Sequence, residues 1–154
     1  MLVLISSGVV AIDQLTKWMI SRSLSFYEEI SVIPGLLKII HIHNPGGAFG
    51  IFASHNGSIR TIMFIGIASI AMCGILYLYK NTPKEYPVFL IGLALIFGGA
   101  LGNIIDRIRI GRVIDFIDFY IGSIHWPAFN VADSAITVGM FIFAFYIFVK
   151  KVPV

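Results

Sequence analysis

The sequence predicts an α-helical membrane protein with four transmembrane helices and a small β-element between the first two. Three observations carry that prediction. Of 154 residues, 58% are hydrophobic and only 12% are charged, against roughly 25% charged in an ordinary soluble domain. The mean hydropathy is +0.92. Four apolar segments approach the roughly 20 residues that a helical crossing of a bilayer requires. The length fits one integral membrane domain, residues 1–154.

The first helix is expected over about 2–20, interrupted by Asp13 and Lys17. It lacks the basic lead and small-residue cleavage site of a removable signal peptide, so it reads as a retained span. Within residues 21–58, Val32-Ile33-Pro34-Gly35 precedes a run from Leu36 to His43 rich in β-branched residues. A Pro-Gly turn before such a run predicts a strand or hairpin. Asn44-Pro45-Gly46-Gly47 then forces a turn.

The second helix, about 59–79, carries a single charge, Arg60, at its very start. A short polar connection, Asn81-Thr82-Pro83-Lys84-Glu85-Tyr86-Pro87, makes it an antiparallel hairpin with the third, about 88–105. The third ends in the glycine-rich Gly98-Gly99-Ala100-Leu101-Gly102. Residues 106–130 form a second long connection, which holds three of the eight acidic residues, Asp106, Asp115 and Asp118. The fourth helix, about 131–149, spans about 28 Å at 1.5 Å per residue and precedes Lys150-Lys151.

Charge and cysteine content exclude several classes. The net charge is +3 and the eleven Lys and Arg residues are scattered, so no nucleic-acid footprint is present. Cys73, alone and inside an apolar helix, excludes an internal disulfide and a multi-cysteine zinc site. His41 and His43 would share one side of a strand, and His125 lies in the acidic connection. None has the spacing of a metal motif, so no metal and no cofactor are expected.

Basic residues give an orientation of their own. Lys80, Lys84, Lys150 and Lys151 lie on the side of the short loop. Lys17, Arg22, Lys38, Arg60, Arg107, Arg109 and Arg112 lie on the other. The positive-inside rule would place the long connections in the cytoplasm.

The candidate chemistry is acidic. Asp13 and Lys17, four apart, share a helix face and can pair. Asn103, Asp106 and Arg107 fall on one face at the end of the third helix, either as a polar end meeting water or as a shelf with Arg107 as a fixed cation. Arg109 and Arg112 read as solvated or headgroup-facing residues. Asp115 and Asp118 share a face if their segment is helical and diverge if it is extended. Asn130 is a natural N-cap for the fourth helix, and Asp133 falls in its first turn, where an anion is favoured. Ser134 has no histidine or lysine beside it in sequence.

Two converging carboxylates cannot both ionise cheaply, so one retains a proton near neutral pH. The ionised partner can then activate water against an amide carbonyl. The protonated one can polarise that carbonyl and protonate the leaving nitrogen.

These residues resemble a known family, the lipoprotein signal peptidases, also called signal peptidase II. The resemblance rests on Asp13-Gln14-Leu15-Thr16-Lys17, Asn44-Pro45-Gly46-Gly47-Ala48-Phe49-Gly50 and Gly98-Gly99-Ala100-Leu101-Gly102-Asn103-Ile104-Ile105-Asp106-Arg107. It continues through Val113-Ile114-Asp115-Phe116 and Phe129-Asn130-Val131-Ala132-Asp133-Ser134. The five blocks stand in the family's order and span most of the chain. The family usually carries a basic lead before the first helix, where this chain has Met1-Leu2-Val3.

The resemblance implies an aspartyl endopeptidase of the bacterial inner membrane. It would remove signal peptides from prolipoproteins, cutting before a diacylglyceryl-modified cysteine. Its catalytic pair would be Asp115 and Asp133, supported by Asn103, Arg107 and Asn130 and, further off, by Asp13, Lys17 and Asn44, with Asp118 a bystander. The active site would face the periplasm and both termini the cytoplasm, against the charge count. The strand-rich stretch would be a small extracytoplasmic β-element, and the 106–130 connection a periplasmic loop containing a helix over the site. The implied partners are membrane lipids and the lipid-modified substrate, with no obligate protein partner.

Two other classes compete. A proton-coupled carrier would use Asp13, Asp106 and Asp133 as relay groups, but four helices without an internal repeat make a small carrier. A non-catalytic scaffold would leave the carboxylates dispensable.

Overall fold

The computed structural model describes residues 1–46 and 57–150. In chain order the elements are α1 (Leu2–Ser23), β1 (Glu29–Ile33), β2 (Leu37–Asn44), α2 (Gly57–Asn81), α3 (Pro87–Ile110), β3 (Val113–Ile121), β4 (Ile124–His125) and α4 (Val131–Phe145). The last helix continues as a π-helical segment, Tyr146–Lys150. The Gly47-Ala48-Phe49-Gly50 part of one motif and Lys151 lie outside the described residues.

Among the described residues, four helices are long and apolar enough to cross a membrane, with mean hydropathies between 1.3 and 2.3 over their apolar stretches. At 1.5 Å per residue, even the shortest can span a hydrocarbon core of about 30 Å. Helix α3 is the central one, with 61% of its apolar window buried, whereas α2 buries none of its own. Helices α1, α2 and α4 all pack on α3, so most of the remaining apolar surface faces lipid.

Glycines bring α3 against its neighbours. A side chain at Gly99 would strike the carbonyl oxygen of Ala132, and one at Gly102 would come within 2.7 Å of Asp13 Oδ2. This close approach of small-residue faces is how helices associate where lipid removes the hydrophobic drive. At the far end, Phe89 and Leu93 are fully buried, with Phe143 stacked on Phe89.

Helix α3 starts with Pro87 and stops at Gly111, whose φ of 69° is the left-handed cap conformation. It is therefore longer than the apolar run suggested. Asp106, Arg107 and Arg109 belong to its last turns, where cations offset the helix dipole.

The sheet corrects one expectation. No helix occupies residues 111–130. Val113–Ile121 is instead a strand, antiparallel to β2, in a four-stranded sheet ordered β1-β2-β3-β4. The run is β-branched and aromatic apart from its two aspartates, which suits a pleated surface. Its register sets Asp115 opposite Ile42 and Asp118 opposite Lys38. Phe116 and Ile117 donate to the Phe129 carbonyl, and Phe129 N–H returns a bond to Ile117. These bonds tie the entry of α4 to β3 and bring Asn130 beside Asp115.

Candidate active site

Asp115 lies on β3, near the junction with α3, and is 2% exposed. Both of its oxygens accept side-chain amides. Asn130 Nδ2 donates to Oδ1 at 2.8 Å and Asn44 Nδ2 donates to Oδ2 at 3.0 Å. Burial pushes the Asp115 carboxyl up to about 7, and Asp133 beside it adds to the rise. The two amide bonds and the Lys17 charge oppose it.

Asp133 is half-buried in the first turn of α4. Its Oδ1 accepts from Asn103 Nδ2 at 2.8 Å and its Oδ2 from the backbone N–H of Asn130 at 3.3 Å. Asn130 Oδ1 accepts from the Asp133 N–H, completing a reciprocal cap. Asn130 thus has two tasks. It starts the helix that carries one carboxylate and donates to both carboxylates.

The other expected residues surround this pair. Asn103 Oδ1 accepts from Lys17 Nζ at 3.1 Å and from Asn130 Nδ2 at 3.3 Å. With its oxygen so engaged, the amide turns its nitrogen to Asp133. Lys17 pairs with Asp13 at 2.8 Å, both buried, as the four-residue spacing predicted. Asn44, expected further off, touches the pair directly: it donates to Asp115 while accepting from Gly46 N–H to hold its own loop.

Arg107 lines the same space but joins none of the ion pairs among the described residues. Its guanidinium sits over the Phe64 ring at 4.8 Å and donates to the Asn103 carbonyl at 3.3 Å.

Asp115, Asp133, Asn103, Arg107 and Asn44 all border one cavity of about 720 Å³. Its remaining wall is mostly apolar: Ile42 and Val113 of the sheet, Trp126 to Phe129, and Ile136 and Val138 of α4. The α4 residues run from Asp133 into the membrane span, so the cavity joins a polar floor to an apolar flank.

Asp118 takes no part. It is engaged by His125 Nδ1 at 2.9 Å across the β3–β4 turn, as the divergence of i and i+3 on a strand requires. His41 Nδ1 lies 3.0 Å from the Leu24 carbonyl. Its ring meets His43 edge-on at 5.2 Å, and burial, followed by His41 itself, lowers the His43 pKa. Ser134 Oγ donates to the Asn130 carbonyl.

Two further residues join this network: Asp106, from the polar shelf expected at the end of the third helix, and Gln14, to which sequence reasoning gave no role. Asp106 is buried and pairs with Lys17 at 2.9 Å. Gln14 Nε2 reaches both Asp106 Oδ1 and Asp13 Oδ2. The i, i+3 spacing had already set Asp106 on the face of Asn103; for Gln14 the available signal was its place beside Asp13.

Comparison with known proteins identifies the family of the chain. Residues 5–149 match the family model described as signal peptidase (SPase) II. The lipoprotein signal peptidase of Desulforapulum autotrophicum is 49% identical over 152 residues, covering 99% of this chain and 94% of the relative. That of Syntrophotalea carbinolica is 43% identical, covering 90% and 85%. A solved structure described as a bacterial membrane enzyme, determined by the in meso method at 2.3 Å resolution, superposes with a TM-score of 0.86. It shares 34% identity over 97% of this chain and 88% of its own. With its four apolar helices, its small antiparallel sheet and this match over almost its whole length, the chain belongs to the signal peptidase II family, the lipoprotein signal peptidases.

Proposed function

We propose that this chain is an aspartyl endopeptidase that removes the signal peptide of a prolipoprotein, cutting before the cysteine that carries a diacylglyceryl group. Asp115 and Asp133 are its catalytic pair. The observation that carries this reading is the placement of both carboxylates on one cavity, each held by two N–H donors and linked through Asn130.

One proton is shared by the pair. The ionised carboxylate takes a proton from water as the water oxygen bonds to the scissile carbonyl carbon. The protonated carboxyl donates to the leaving nitrogen as the C–N bond breaks. Arg107 and Asn103 contribute fixed positive charge and N–H groups where negative charge develops on the carbonyl oxygen. The apolar flank along α4 suits a substrate whose acyl chains stay in lipid and which arrives by lateral diffusion.

The protein lies in the bacterial inner membrane, with the site at the periplasmic face and both termini in the cytoplasm. The charge count that argues otherwise is weakened by pairing: Lys17 is neutralised by buried carboxylates, and Lys38 is bound to Glu29 at 2.8 Å. Membrane lipids and the lipid-modified substrate are its partners.

Purified protein in proteoliposomes should cleave a diacylglyceryl-modified prolipoprotein and leave the unmodified precursor intact. Equal cleavage of both would contradict the substrate. In a Cys73→Ser background, an impermeant maleimide added from outside should label Ser123→Cys and spare Lys84→Cys. The reverse pattern would overturn the orientation.

A further inference from the structure

Three buried charges beside the cavity converge on one atom. Lys17 Nζ lies 2.8 Å from Asp13 Oδ2 and 2.9 Å from Asp106 Oδ2, and none of the three side chains is more than 2% exposed. One carboxylate would suffice to neutralise the ammonium. The second becomes intelligible from what each carboxylate does with its other contacts.

Asp13 Oδ1 accepts the backbone N–H of Ala132 at 2.9 Å. Ala132 lies in the first turn of α4, where N–H groups lack helical partners, and it immediately precedes Asp133. Asp106 Oδ2 accepts the backbone N–H of Ile114 at 3.2 Å, and Ile114 immediately precedes Asp115. Each reacting aspartate therefore follows a peptide gripped by a carboxylate, and both carboxylates are held by the same cation. A third arm runs from Lys17 through the Asn103 amide to Asp133 Oδ1, at 3.1 and 2.8 Å.

We propose that Lys17 is a positioning residue for the peptidase reaction. Acting through Asp13 and Asp106, it sets the spacing and relative orientation of Asp115 and Asp133. Asp106 is thereby assigned to the machinery as the link to β3. The proposal rests on the reading of Asp115 and Asp133 as the catalytic pair.

Two short ion pairs sharing one small cation make a stiff joint between α1 and α3. Removing the cation leaves two buried anions that repel. The strand and the helix start attached to them then lose their common reference. Carboxylates that share a proton and a water tolerate displacements of only about 0.5 Å. The charged and titratable groups around the joint are Asp13 on α1, Asp106 and Arg107 on α3, His43 on β2, Arg112, Asp115 on β3 and Asp133 on α4.

The test uses the full chain in proteoliposomes with lipid-modified prolipoprotein. It reads kcat, KM, the pH profile and the folded fraction from thermal unfolding. The main variant is Lys17→Met with Asp106→Asn, which keeps the net charge of the cluster and an acceptor for the Ile114 N–H. Its kcat should fall about a hundredfold, the loss expected for misplaced reacting groups, with KM within about threefold of wild type. The two apparent pKa values of its profile should move by about half a unit or more as the carboxylates' mutual influence changes.

A loss of activity matching the loss of folded protein, with an unchanged profile, would make the triad purely structural and overturn the proposal. Should the double variant not fold, Asp106→Asn alone decides. It should lower kcat about tenfold at unchanged KM and shift the profile; wild-type kcat and profile overturn the proposal. Asp115→Asn, run alongside, separates the two readings. If it is inactive while the Lys17 variants keep the native profile, only the positioning role fails. If it remains active, the catalytic assignment itself fails.

Discussion

Asn130 donates its side-chain amide to Asp115 Oδ1 at 2.8 Å, and its backbone N–H reaches Asp133 Oδ2. A residue chosen by helix-capping chemistry thus also orients both carboxylates. The helix that delivers Asp133 begins at the group that holds Asp115. Asn130→Ala should lose the cap, costing about 1 kcal/mol of stability. It should also lower kcat by about a hundredfold or more through loss of preorganised donors. Thermal unfolding in detergent and steady-state cleavage separate the two effects; an intact kcat would remove Asn130 from the site.

The pH dependence follows from Asp115. Its carboxyl is raised from 3.8 to about 7, chiefly by burial and then by Asp133, so the fold prefers the protonated form. That contribution to stability is complete below pH 3.8 and is lost as pH rises through about 7. In activity, the shared proton leaves on the alkaline side, so kcat should decline with a limb near 7. Asn44 donates to Asp115 and favours its ionised form. Asn44→Ala should therefore move the limb upward, read from the pH–rate profile. A downward move would reverse the assigned sign.

Packing of α3 against α4 predicts a stability effect away from the polar groups. A methyl at Gly99 would meet the Ala132 carbonyl and come within 2.7 Å of Ile136. Gly99→Ala should destabilise by about 1–3 kcal/mol, seen as a lowered unfolding midpoint. An unchanged midpoint would mean that the two helices yield easily at this contact.

Asp118 offers the contrast with Asp115. Its carboxylate is engaged by His125, on the other side of the strand from the cavity. Asp118→Asn should keep kcat within about threefold of wild type, since it removes no transition-state interaction. A loss as deep as that of Asp115→Asn would mean that the wrong member of the pair has been chosen.

Much of this was legible in the residues themselves. Hydropathy located the four spans, Pro34-Gly35 and the β-branched run marked the first hairpin, and the i, i+4 spacing paired Asp13 with Lys17. Residues 111–130 were less legible. Asp115 and Asp118, three apart, fit a helix as well as a strand, and only pairing with β2 decides between them. The grips on Ala132 and Ile114 were hidden for another reason. They join side chains to backbone N–H groups, which leave no mark on residue type, and one spans 119 positions. The resemblance counted Asp13 and Lys17 among the supporting residues but further off, and their hydrogen bonds to Ala132 and Asn103 supply a physical reason for both.

The most direct measurement is cleavage of a diacylglyceryl-modified prolipoprotein by folded Asp115→Asn and Asp133→Asn, made separately. Each substitution keeps the shape of the side chain and removes its capacity to take or give a proton. Each variant is expected to lose about a thousandfold or more of kcat while still unfolding cooperatively. Cleavage by either one within about tenfold of wild type would contradict the assignment of the carboxylate pair.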